Sequence, residues 1–141
     1  MNDEMLIEKK ISSENVFDGV LLHVYKDAIE LPNGNSATRE YIKHQGAVCV
    51  VPVTDNMEVV AVKQYRYPIG RVTIEIPAGK LDKGEDILDA AKRELREETG
   101  AVAGKWTFLG RLDTSPALIN EKIYMYMAEE LSFTERELDD D

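Results

Sequence analysis

A single cysteine, Cys49, stands in this sequence of 141 residues, so no disulfide can form within the chain. It lies inside the apolar run Ala47-Val48-Cys49-Val50-Val51, where a thiol is expected to be buried and inert, because a reactive thiolate needs exposure and a lowered pKa. Histidine is almost as scarce: neither His23 nor His44 stands beside a serine or cysteine to activate, and two isolated imidazoles make no zinc set. Long hydrophobic runs are missing too. Nothing approaches the roughly 18 apolar residues of a membrane span, and no basic start leads into an apolar signal segment. The chain therefore reads as cytoplasmic, with no membrane partner. Positive charge is in deficit, with 17 Lys and Arg against 27 Asp and Glu and a net charge of -10. Such a field repels polyanions, so nucleic acid is excluded as a partner. A small phosphorylated ligand stays compatible, since one or two divalent ions neutralise it locally.

What is present suits an ordinary globular chain. Hydrophobic residues make up 43% and charged ones 31%, far from disordered or fibrous compositions, and the length allows one core but not two. Alternation predicts strands at Leu6 to Ser12 and Val20 to Glu30, then a turn at Leu31-Pro32-Asn33-Gly34-Asn35. A returning strand from Ala37 to His44 puts Arg39 and Tyr41 on one face, Glu40 and Ile42 on the other. Ala47 to Val53, apolar and rich in β-branching, has the pattern of a strand buried on both sides. Glu58 to Tyr67 is expected as its antiparallel neighbour, across a turn at Asp55-Asn56. Thr73 to Ile76 is a short strand stopped by Pro77, and Ala78 to Gly84 reads as a loop whose glycines admit close backbone approach to a ligand. Lys105 to Leu112 and Glu121 to Leu131 are extended, with a turn at Asp113-Thr114-Ser115-Pro116 between them. Many strands with one firm helix predict an α/β (α+β) architecture of mixed sheet flanked by helix, opened by an N-terminal antiparallel hairpin.

That helix is Asp86 to Thr99, with Gly100 as its C-cap. Leu88, Ala91 and Leu95 share one face. Glu94, Glu97 and Glu98 fall within one sector, with Arg93 beside them and only Ala90 beneath. Three carboxylates that close repel one another unless cations lie between, and hard ions such as magnesium or manganese favour oxygen ligands. Glutamate is also a good helix former, so a solvated acidic surface is the competing reading. The preceding loop, with Glu75, Pro77-Ala78-Gly79 and Glu85, moves the balance toward a built site.

The segment from Gly79 to Ala101 resembles the Nudix box. Gly79, Glu85, Arg93, Glu94, Leu95, Glu97, Glu98, Gly100 and Ala101 meet every fixed position of that pattern, nine constraints over twenty-three residues. The resemblance implies a Nudix-like mixed β-sheet sandwich and a magnesium-dependent hydrolase, with manganese as an alternative ion. It implies that Glu94, Glu97 and Glu98 hold the metal with the Ala78 carbonyl, and that Glu85 and Arg93 brace the loop against the helix by a salt bridge. Water activated there would attack one phosphorus of a diphosphate.

Outside the box the chain is similar to the branch acting on ADP-ribose and related nucleoside diphosphate sugars. The stretches are Arg39-Glu40-Tyr41, His44-Gln45-Gly46-Ala47-Val48, Gln64-Tyr65-Arg66-Tyr67-Pro68, Ile74-Glu75-Ile76-Pro77-Ala78-Gly79, and Ser115-Pro116, with Pro116 fifteen residues beyond Ala101. The implied reaction turns ADP-ribose into AMP and ribose 5-phosphate. Arg39 and Arg66 would contact phosphate oxygens, Glu75 would accept from the adenine amino group or a ribose hydroxyl, and Pro116 would border the substrate. Without the resemblance, Arg39 and Arg66 read equally well as ordinary surface partners. Other nucleotide sugars, nucleoside triphosphates and dinucleoside polyphosphates fit the same chemistry, as does a weakly catalytic nucleotide-binding protein. Residues 1–44 are expected to serve homodimerisation and substrate contacts, and 45–141 to form the catalytic domain. Two departures stand out. Ala117 occupies a position where the branch commonly has glycine, and the chain looks shortened at its C-terminus, where Glu135, Glu137 and Asp139 to Asp141 are the acids available to activate water.

Overall fold

The computed structural model describes residues 2–134. Two units divide the chain. The first runs to His44 and takes in Thr114–Glu121. Its antiparallel sheet has the order β1 (Lys9–Asp18), β2 (His23–Glu30), β3 (Ser36–Lys43). The turn between β2 and β3 falls where Pro, Asn and Gly predict it: Gly34 takes φ 84, and the Leu31 and Gly34 N–H groups donate to the Asn35 and Leu31 carbonyls at 2.8 Å. The expected Leu6 to Ser12 strand is displaced. Asp3–Leu6 is a 3-10 turn capped by Asn2, and β1 runs on to Asp18 because β2 offers it a ladder along that length. Val20 to Leu22 belong to the connection into β2, closed by the Gly19 N–H donating to the Leu22 carbonyl at 2.9 Å.

The second unit comprises Gln45–Asp113 and the chain from Lys122 onward. Its main sheet has the order β7 (Ala78–Lys80), β4 (Ala47–Pro52), β9 (Lys122–Phe133), β8 (Ala101–Asp113). The sheet is mixed: β4 runs parallel to β9 and antiparallel to β7. The apolar run of β4 is buried nearly throughout, as a central strand requires. The helix α1 (Ile87–Thr99) packs Ala90, Ala91 and Leu95 onto Val48, Val50, Ala101 and Ala128, all fully buried. Leu95 is the largest of the fully buried side chains.

Two sequence expectations are corrected here, the first of them in part. The expected antiparallel pairing of Glu58 to Tyr67 with the Ala47 to Val53 run is made only at its start, where Val59 bridges Val53 and the Val60 N–H donates to the Pro52 carbonyl at 3.0 Å; β5 (Val62–Arg66) does not continue it, because β7 and β9 flank β4, and pairs instead with β6 (Arg71–Glu75) around Tyr67–Ile69 and Gly70 at φ 63. The segment Ala78–Lys80, read as loop, is a short strand held by β4. Short strands are decided by the available partner more than by their own composition. Among the described residues no helix is long and apolar enough to cross a membrane.

Candidate active site

Both ends of α1 are fixed by the residues around it. Asp86 caps the start, its Oδ1 accepting from the Leu88 and Asp89 N–H groups at 2.9 and 3.2 Å. Gly100, at φ 72, closes the other end by donating its N–H to the Arg96 carbonyl at 2.8 Å. With Ala90, Ala91 and Leu95 turned inward, Glu94 and Glu98 lie along Ala78–Gly79. The Ala78 N–H donates to Glu98 Oε2 at 3.1 Å. A Cβ on Gly79 would sit 2.0 Å from Glu94 Oε1, so any side chain there would force that carboxylate to move. The close approach that the sequence suggests for a ligand is made by Glu94 itself. Glu98 also lines a cavity of about 310 Å³ with Val60, Ala61, Val62, Lys63 and Thr99.

Arg93 is the hub of the box. Its Nε and Nη2 donate to the two oxygens of Glu85 at 2.9 and 3.0 Å, and Nη1 donates to Glu94 at 2.8 Å and to Glu97 at 3.1 Å. Nη2 also reaches the Lys80 carbonyl at 3.3 Å. Five planar donors make such branching possible for arginine and not for lysine. Burial raises the Glu94 carboxyl above its ordinary range; Arg93 opposes this, and Glu97 and Glu85 add to it. Burial likewise raises Glu98, against the Ala78 N–H, with Glu94 adding repulsion.

Glu85 moves the other way. Arg93, and then the Asp82 N–H, hold its carboxyl down at about 2 against an ordinary 4.5. Since the folded chain binds that proton less tightly than the unfolded one, the pair's stabilisation is complete above 4.5 and is lost as pH falls through about 2. Thermal melts in that window are expected to fall more steeply for the wild type than for Glu85→Gln, the two curves converging at its acid end. Parallel curves would mean that Glu85 is not held in this way.

The donor set suits a hard divalent ion in chemical type: carboxylates in one sector, two of them raised by burial and mutual repulsion, beside a backbone that leaves them room. Among the described residues no three His, Cys, Asp or Glu already converge as a ready metal cage. Arg93 engages one oxygen each of Glu94 and Glu97, which leaves Glu94 Oε2 and Glu97 Oε1 outside that contact.

On the β5–β6 hairpin, Arg66 donates Nε and Nη2 to Glu75 at 2.9 and 2.5 Å, and Thr73 donates its hydroxyl to Glu75 at 2.5 Å. Arg66, then Thr73, draw the Glu75 carboxyl down to about 2. Glu75, expected at the nucleoside, thus has both oxygens engaged within the chain. Thr73 was not singled out by sequence; its place two residues before Glu75 on one strand face was the available signal. Arg39 and Pro116 lie in the first unit. Arg39 forks onto Glu8 and donates to the Thr38 carbonyl at 2.9 Å, and Pro116 sits in an exposed turn. Cys49 is buried, and burial pushes its thiol up, away from reactivity. Glu135, Glu137 and Asp139 to Asp141 lie outside the described residues.

Comparison with known proteins bears on this geometry. Residues 43–141 match the NUDIX domain model, and residues 8–42 match the nucleoside diphosphate sugar hydrolase N-terminal domain. An ADP-ribose pyrophosphatase of Bacillus subtilis is 48% identical over 96% of this chain and 75% of its own length. A methanol dehydrogenase activator of Bacillus methanolicus is 44% identical over 89% of this chain and 68% of its own. The crystal structure of an ADP compounds hydrolase superposes with a TM-score of 0.85 at 27% identity, covering 95% of this chain and 72% of that one. The complete box on a capped helix, the family model over its length and the likeness to these proteins agree: this chain belongs to the Nudix family.

Proposed function

We propose that the chain hydrolyses the diphosphate of ADP-ribose to AMP and ribose 5-phosphate, using magnesium, or manganese in its place. The observation that carries the reading is the meeting of Glu94 and Glu98 at Ala78–Gly79, in a chain 48% identical to a relative named for this reaction. Glu94, Glu97 and Glu98 would hold the cation with the Ala78 carbonyl. When bound, the ion polarises phosphate oxygens and eases ionisation of the attacking water. Glu98 is our candidate base: the Ala78 N–H restrains one of its oxygens and leaves the other to take a proton. Arg93 keeps Glu85 and the loop in place. Arg66 offers planar donors to a phosphate.

In this reading residues 1–44 supply dimer and substrate contacts, and 45–141 the chemistry. Homodimerisation is supported by β1, an edge strand with no buried residue that exposes Ile11, Val16 and Phe17. The setting we infer is cytoplasmic. The test is product identity over a panel of nucleotides with magnesium. ADP-ribose is expected to react fastest and to yield AMP; faster release of pyrophosphate from nucleoside triphosphates would overturn the substrate assignment. The structural likeness to an ADP compounds hydrolase favours including other ADP-linked diphosphates in that panel.

A further inference from the structure

We propose that Glu75 is a positioning residue, which with Thr73 holds Arg66 ready for a phosphate oxyanion and does not itself touch the nucleoside. The inference rests on reading the site as one for a nucleoside diphosphate. It departs from the sequence expectation that Glu75 accepts a hydrogen bond from adenine or ribose.

The geometry starts from strand register. Gln64 stands opposite Thr73, Val62 opposite Glu75, and Arg66 opposite Arg71, so Arg66, Thr73 and Glu75 share one face of the hairpin. Glu75 Oε1 accepts from Arg66 Nε at 2.9 Å and from the Thr73 hydroxyl at 2.5 Å, while Oε2 accepts from Nη2 at 2.5 Å. Thr73 Oγ1 also lies 3.1 Å from the Gln64 carbonyl, which ties the cluster to β5. A carboxylate so engaged is poorly placed to serve a ligand as well.

Arginine behaves differently. The bidentate contact uses only the Nε edge of the guanidinium, and the parallel N–H pair on its Nη1 side matches two oxygens of a phosphate. Arg66 lies near enough to Glu98 for each to feel the other's charge. The Arg66 side chain is 45% exposed, and one so exposed would otherwise sample many rotamers and lose that freedom on binding. Glu75 restricts it beforehand.

The test is ADP binding, followed by calorimetry with magnesium present, which needs no turnover. Glu75→Ala and Arg66→Ala are each expected to weaken ADP about tenfold, and the double variant to be no weaker than Arg66→Ala, because Glu75 acts only through Arg66. Thr73→Val, which keeps the side chain's shape, is expected to weaken ADP about threefold and carries the test if Glu75→Ala fails to fold. Multiplying losses in the double variant would mean that Glu75 meets the ligand itself and would overturn the proposal. Wild-type affinity in Glu75→Ala, or in Thr73→Val, would also overturn it, leaving a plain structural ion pair. Turnover of ADP-ribose, measured alongside, separates the two readings: its absence with the losses as expected removes the hydrolase assignment and leaves the positioning of Arg66 standing.

Discussion

Glu98→Gln is expected to lower magnesium-dependent turnover by about 10² to 10⁴-fold, the range for losing a group that takes a proton in the transition state. The amide keeps the length of the side chain and an oxygen that can still accept from the Ala78 N–H. It also removes a charge that burial and Glu94 disfavour. Folding stability should therefore be kept or slightly raised while kcat collapses. Steady-state kinetics beside a thermal melt separates the two effects. Full activity with an unchanged melt would remove Glu98 from the role of base.

Arg93→Ala is expected to have the largest effect on stability. One guanidinium compensates Glu85, Glu94 and Glu97, and Glu94 is buried. Removing one side of a buried pair leaves the desolvation cost of the other without recompense. With the Arg93 side chain 27% exposed, solvent moderates the loss to on the order of 3 kcal/mol, or about 10 °C in melting temperature. The sign with pH follows from Glu94, already raised above 4.5 by burial and raised further once its partner is gone. An acid that binds its proton more tightly when folded makes stability fall as pH rises above 4.5, so the defect is expected to be greater at pH 8 than at pH 5. A defect independent of pH would point to lost packing of the arginine stem.

These two residues illustrate what could be read without a structure. The helix signals are local: Asp86, Gly100 and the inward-facing Ala91 and Leu95 sit within a few turns of one another, so spacing alone locates them. The sector shared by Glu94, Glu97 and Glu98 follows from that register. The turn at Leu31 to Asn35 is legible for the same reason, because Gly34 can take a positive φ. What escaped depends on distant chain. Nothing in Val62 to Arg66 says that the edges of β4 are taken by residues far away in sequence, and Ala78-Gly79-Lys80 has no strand pattern of its own. Glu75 was legible as a candidate, but its engagement by Arg66 and Thr73 needs the hairpin register.

The central claim is that acids on α1 and the Ala78–Gly79 backbone together assemble a metal-assisted site for a diphosphate. Incubating this chain with ADP-ribose, with and without magnesium, and identifying the products tests it most directly. AMP and ribose 5-phosphate in equal amounts, ceasing when the ion is chelated, is the predicted result. Undiminished hydrolysis after chelation, or intact ADP-ribose after prolonged incubation with magnesium, would contradict the account.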